Sequence, residues 1–191
     1  MPRPPSKPPN KPPRQPTEAR LHEAALFHLS RFAATEAGLT RVLKGRIDRW
    51  ARASDLDPEE IARLAAPLRQ AVPRIVAKLV AAGALNDTVF AAARTRRLAH
   101  GGKSRRAIAA HLAAKGIDAE DAQSALASVE DEVAAALVFA RRRRLPPFGD
   151  VPREKALGAL GRAGFSRDVA EAALRTDRDE AEARIKTFRA G

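Results

Sequence analysis

The stretch HGGKSRRAIAAHLAAKGI, residues 100–117, joins a glycine pair to Lys103, Ser104 and a helical pattern, as the end of a phosphate-binding loop does. Such a loop needs a further glycine five residues before Gly102, so that backbone N–H groups can wrap the phosphates, and a strand leading in. Position 97 is an arginine, and FAAARTRRLAH ahead of the glycines has helical composition. Nucleotide binding is therefore rejected. The histidines at 22, 28, 100 and 111 lie far apart and show no HExxH or similar ligand spacing. The neighbouring acids of SVEDE diverge on a helix instead of facing one another, and capping explains them. With no cysteine, disulfides and thiolate metal sites are excluded. The expectation is a protein without catalytic residues, metal or cofactor, and not an enzyme.

What remains is charge. The chain carries 35 Lys and Arg against 23 Asp and Glu, a formal net charge of +12, which implies an anionic partner: nucleic acid, an acidic protein surface or anionic lipid. Between Asp87 and Asp118 there is no acid, but there are Arg94, Arg96, Arg97, Lys103, Arg105, Arg106 and Lys115. Lys103, Arg105 and Arg106 stand at a helix N-terminus, where each cation opposes the helix dipole at a cost of roughly a few tenths of a kcal/mol. Charge placed where it harms folding points to binding. A second run, Arg141, Arg142, Arg143 and Arg144, ends a later helix, where the dipole favours it. The candidate binding set is Arg94, Arg97, Lys103, Arg105, Arg106 and Arg141–Arg144; the competing reading is a solvated face. Trp50, between Arg49 and Arg52, has the chemistry to stack on a base, but burial against a neighbouring helix is the preferred reading.

The elements that must carry these residues are all helical. Alanine, leucine, arginine and glutamate dominate, tyrosine is absent, and no segment alternates with period two. Residues 1–17 hold eight of the fourteen prolines and four positive charges. That composition predicts a disordered, polyproline-like basic tail. From Thr17, Leu21, Ala25, Leu29 and Phe32 share one face; a second helix runs through Leu39, Leu43, Ile47 and Trp50. SDLDPEE restarts the chain with acids and Pro58 in a first turn. Pro67 and Pro73 inside the following segment predict a kink or two shorter pieces. No run approaches the roughly 18 apolar residues of a membrane span, and MPRPPSKPPNKPPRQP has no apolar core for a secretory signal, so a cytoplasmic protein is expected.

The second half contains an internal repeat. KSRRAIAAHLAAKGIDAEDAQSAL (103–126) aligns with VPREKALGALGRAGFSRDVAEAAL (151–174) at an offset of 48, pairing Leu112 with Leu160, Gly116 with Gly164, Ile117 with Phe165 and Asp118 with Ser166. The same offset carries Asp131 and Glu132 onto Asp179 and Glu180. The pattern predicts two helices joined by a left-handed glycine turn, a tucked hydrophobe and a capping residue. Units this small must stack on neighbours to bury their apolar faces.

The joint LVAAGALND, the Phe of VFAAA, the arginine run and SRRAIAAHLAAKGI, followed by the repeat with its RAGF turn, resemble the RecX family of regulatory proteins across roughly residues 20–188. The resemblance implies three tandem three-helix repeats in an elongated, curved array, here read as residues 18–85, 86–129 and 130–188. It further implies a protein that binds the groove of filaments of the bacterial recombinase RecA on DNA; the expected nucleic acid is single-stranded first and double-stranded second, and with no heptad seam in the sequence a monomer is expected. There it would inhibit filament growth, ATP hydrolysis and strand exchange, as part of DNA repair and the SOS response. A general helical DNA-binding protein is the alternative. The first unit is longer than the family's, through IDRWARASDLDPEE and PLRQAVPR, and the proline-rich tail has no counterpart there.

Overall fold

The structure, a computed structural model, describes residues 14–190, and among these it contains ten α-helices and no strand. They are α1 (Glu18–Leu29), α2 (Glu36–Ala53), α3 (Pro58–Ala81), α4 (Asp87–His100), α5 (Arg105–Lys115), α6 (Ala119–Ala127), α7 (Glu132–Arg143), α8 (Arg153–Arg162), α9 (Arg167–Arg175) and α10 (Arg178–Ala190). Residue contacts divide the chain into two compact units, with the boundary between Asn86 and Asp87. No helix among the described residues is long and apolar enough to cross a membrane.

In the first unit every helix start has a side-chain cap. Thr17 Oγ1 accepts from the N–H of Arg20 at 3.2 Å, Thr35 Oγ1 from that of Gly38 at 2.9 Å, and an Asp57 oxygen from that of Glu59 at 2.8 Å. Each cap satisfies an amide that the helix itself cannot, worth about 1 kcal/mol. Leu39, Leu43, Ile47 and Trp50 then fall on one side of α2 and bury against Ala65, Val72, Ile75 and Leu79 of α3, with Leu21 and Ala25 of α1 closing the core.

Three expectations meet the structure here. Helix α3 runs through Pro67 and Pro73 as one element and not as two shorter pieces. Each proline removes a backbone hydrogen bond, at about 3 kcal/mol, but both lie on the exposed side. Six buried residues on the other side hold the helix through, the larger ones contributing about 1.5–3 kcal/mol apiece. Phe32 does not join Leu21 and Ala25: the helix is capped at Ser30, the register is lost, and the ring is 56% exposed. Of the tail expected to be disordered, residues 1–13 lie outside the described residues; Pro16 is buried and Thr17 caps α1.

In the second unit the repeat becomes geometry: α4, α5 and α6 recur as α7, α8 and α9, the last two pairs at the offset of 48. Gly116 and Gly164 adopt φ of 84° and 91°, the left-handed region that favours glycine. Ile117 and Phe165 are buried beside them, and Asp118 and Ser166 cap α6 and α9 by accepting from Asp121 and Val169 at 2.8 and 3.3 Å. Helix α10 extends the three-by-three pattern, beginning where Asp179 and Glu180 repeat Asp131 and Glu132, and it packs on α7 through Ala181 and Ile185. Ala134 to Val138 and Ala140 are all buried, because α4, α8, α9 and α10 surround α7. A helix apolar on every side belongs in such a central place.

Candidate anion-binding surface

The basic residues of the second unit divide by what they touch. Arg94 lies near the middle of α4, and its Nε donates to Nε2 of His111 on α5 at 2.9 Å. Burial first, then the positive charges of Arg94, Lys115 and Lys103, hold the His111 imidazole below its ordinary range. A neutral ring is what can accept from Arg94. Three cations from α4, the α4–α5 turn and the end of α5 are thus gathered around one uncharged histidine. Arg97 follows Arg94 by one turn and is exposed; Lys103 and Arg106 are also exposed. Among the described residues, Arg94, Arg97, Lys103 and Arg106 form no ion pair with a carboxylate. Like charges crowded this way repel, and an incoming anion relieves that repulsion.

Arg105 belongs to a different group. Its backbone N–H donates to Glu132 at 2.9 Å, its guanidinium donates to the carbonyl of Val129, and its Nε lies 4.0 Å from the Glu132 carboxylate. Helix α5 has no acid in its own first turn, and Glu132 of α7 supplies one from outside. The dipole cost inferred for this cluster is partly met by that contact, and Arg105 acts as a strut between α5 and α7. Ser104 secures the same corner. It is fully buried, its Oγ accepts from the N–H of Ala107 at 3.2 Å, and it donates to the carbonyl of Ala163 at 2.8 Å.

The run Arg141–Arg144 separates residue by residue. Arg141 pairs with Glu182 of α10 at 2.9 Å, and Arg142 donates to the carbonyl of Gly101 at 2.8 Å. Arg143 lies 5.8 Å from the centroid of the Phe139 ring, and Arg144, at φ 53°, ends α7 in a left-handed turn. Each thus has a partner or a backbone task within the fold. Arg142 alone of the four reaches back to the α4–α5 turn that carries Lys103.

Sequence reasoning did not select several residues that the structure brings in. His111 and Lys115 complete the cluster around Arg94, and their spacing of four, one helical turn, was the available signal. At the far end of α4, His100 packs edge-on against Phe188 with ring centroids 4.9 Å apart, and Arg189 donates to its carbonyl at 3.4 Å. Burial, then Arg96, then Arg189, lower the His100 imidazole. Residues 89 apart in sequence carry no local signal of that contact. Trp50 is only 4% exposed, so it is a core residue of the first unit. Among the described residues no group of three or more His, Asp or Glu side chains is placed to hold a metal ion.

Comparison with known proteins identifies the family around this surface. Residues 86–126 match the family described as RecX, second three-helix domain. Regulatory protein RecX of Myxococcus xanthus (strain DK1622) is 38% identical over 160 residues, covering 79% of this chain and 82% of its own. A crystal structure of a regulatory protein RecX superposes with a TM-score of 0.59 at 26% identity, over 83% of this chain and 72% of that one. RecX from Lactobacillus salivarius has a TM-score of 0.61 over 83% and 94% of the two chains, and at 22% identity this likeness speaks to the fold.

Proposed function

The chain belongs to the RecX family of regulatory proteins, and from that membership we propose that it acts by binding alone, seated in the groove of a RecA–DNA filament in the cytoplasm. On this reading it restrains filament growth, ATP hydrolysis and strand exchange, and makes or breaks no bond itself. The observation that carries the reading is the gathering of Arg94, Lys103 and Lys115 around the neutral His111, with Arg97 and Arg106 exposed on the same two helices. A cationic cluster on packed helices, in which Arg94, Arg97, Lys103 and Arg106 form no ion pair among the described residues, suits phosphate or an acidic protein groove. Arg142 adds to it from α7; Arg105, Arg141, Arg143 and Arg144 contribute chiefly to the fold.

The test is RecA-driven ATP hydrolysis on single-stranded DNA with substoichiometric amounts of the full chain. Inhibition is expected, and Arg97→Glu, Lys103→Glu and Arg106→Glu together should weaken it about tenfold or more, since reversing charges at a complementary surface costs several kcal/mol. Changing Arg141 and Arg143 together to Ala should change it less than about threefold. No inhibition by the unaltered chain at low salt would refute the reading. Tight DNA binding without inhibition would leave a general DNA-binding protein in its place.

A further inference from the structure

The first unit has a cationic groove of its own, of about 560 Å³, lined by Arg14, Arg20 and Arg46 with Glu23, Phe27 and Trp50. It lies where residues 14–16 and α1 meet α2. The three arginines outnumber the single acid. Arg20 donates to the carbonyl of Gln15 at 3.1 Å, while among the described residues Arg14 and Arg46 have no carboxylate within ion-pair distance. Trp50 is buried and can offer no ring face, but Phe27 is 64% exposed. The guanidinium of Arg31 lies over the Phe27 ring at 5.7 Å from its centroid. Beyond it, the exposed ring of Phe32 leans on His28 with centroids 5.3 Å apart.

The groove thus sets an aromatic ring that is 64% exposed beside Arg14 and Arg46, which have no carboxylate partner among the described residues. It suits a ligand that combines negative charge with flat apolar faces. We infer that this groove binds a single strand of nucleic acid, one base stacking on Phe27 while the flanking phosphates lie along Arg14, Arg20 and Arg46. A duplex keeps its bases stacked on one another and has no free face to offer the ring. The site is separate from the α4–α5 cluster, and its occupation needs no recombinase.

The experiment is fluorescence anisotropy of the full chain, without recombinase, on a fluorescein-labelled oligothymidylate and on a strand of equal length made of abasic units. Both strands carry the same phosphates, so the α4–α5 cations attract them equally. The base-bearing strand should bind about tenfold tighter, as expected for one stacked base. Phe27→Ala should abolish that preference, with helix content checked by circular dichroism. Arg46→Gln should keep the preference but reduce the log–log salt slope by about 0.7, one phosphate contact on a single strand. The inference fails if the unaltered chain binds both strands alike, if Phe27→Ala discriminates as well as the unaltered chain, or if a duplex of equal length competes equally. It also fails if a phenylalanine-containing acidic peptide occupies the groove in a Phe27-dependent way and displaces the strand. None of these outcomes touches the inhibition assay, so the two readings stand or fall separately.

Discussion

Helices α4 and α7 occupy the same place in successive repeats, and both carry an arginine run, yet the structure uses the two runs differently. Those of α7 are taken up internally, by Glu182, by the Gly101 carbonyl, by the Phe139 ring and by the turn that ends the helix. Among the described residues Arg94 and Arg97 of α4, with Lys103 and Arg106 beyond, form no ion pair with a carboxylate, and Arg94 donates to an uncharged histidine. The difference follows from position. Helix α7 is enclosed by α4, α8, α9 and α10, and its last turn finds partners, whereas on α4 Arg94 reaches His111 of α5 and Arg97 is exposed. Charge count is therefore a poor guide to free charge, and the surrounding helices decide.

The joints that hold the two repeats together offer the largest effect. Gly102, at φ 80°, lies so close to α7 that an added Cβ would stand 2.8 Å from the backbone nitrogen of Phe139, which cannot swing aside. The third repeat makes the equivalent connection with the longer loop LPPFGDVP, in which Gly149 is pressed against the backbone of Arg144. Gly102→Ala should cost about 3 kcal/mol, combining left-handed strain with overpacking. Gly83→Ala, with φ 68° and nothing within 4 Å of the added carbon, should cost about 1 kcal/mol. Urea titrations of both variants measure the contrast; equal costs would show that the α4–α7 contact is looser than drawn.

A smaller effect separates two ion pairs that α10 makes with α7. Arg184 grips both oxygens of Asp131 at 2.7 and 3.0 Å, and Asp131 also caps α7 by accepting from Ala134 at 2.9 Å. Burial pushes the Asp131 carboxyl up, but the Arg184 and backbone hydrogen bonds together outweigh it and hold the group below its ordinary value. A depressed carboxylate stabilises the fold above its unfolded pKa, near 3.9, and loses that contribution as the pH falls through the lower folded value. Asp131→Asn should therefore cost about 1–2 kcal/mol at pH 7, and the gap from the unaltered protein should narrow at acid pH. Glu182→Gln touches a single contact whose carboxylate is 47% exposed, against 30% for Asp131, and should cost less than about 0.5 kcal/mol. Chemical denaturation at pH 7 and pH 3 distinguishes the two.

Much of this fold was legible in the sequence because its signals were local and repeated. The glycine, tucked hydrophobe and cap of each turn recur at one offset, and each maps onto φ, burial and a hydrogen bond. At Pro67 and Pro73 the expected break into two pieces is absent, because a local rule met a buried face that overrode it. Phe32 misled because helical spacing was extended past the end of the helix. For the candidate surface, the cations were visible but their partners were not. Glu132 reaches Arg105 across 27 residues, and Glu182 reaches Arg141 across 41. Pairings at that range are set by packing, which composition and spacing do not record.

The smallest expected effect tests whether the α4–α5 cations truly share one environment. If Lys103 lies close enough to hold the His111 imidazole down, then Lys103→Gln should raise that imidazole toward its ordinary value, while Arg143→Gln should leave it unmoved. A histidine lowered in the folded state binds fewer protons there than in the unfolded chain, so its environment costs stability as the pH falls through the unfolded value near 6.5. Lys103→Gln should accordingly flatten the loss of stability between pH 7 and pH 5, together with the shift seen by NMR titration of the ring. An anion bound between Lys103 and Arg94 would cancel their charge and raise the imidazole in the same direction. Titrating His111 with and without a short oligonucleotide thus asks whether the cluster is where the ligand sits. An unmoved ring at saturating oligonucleotide would place binding on another face, and the contrast between α4 and α7 would lose its functional meaning.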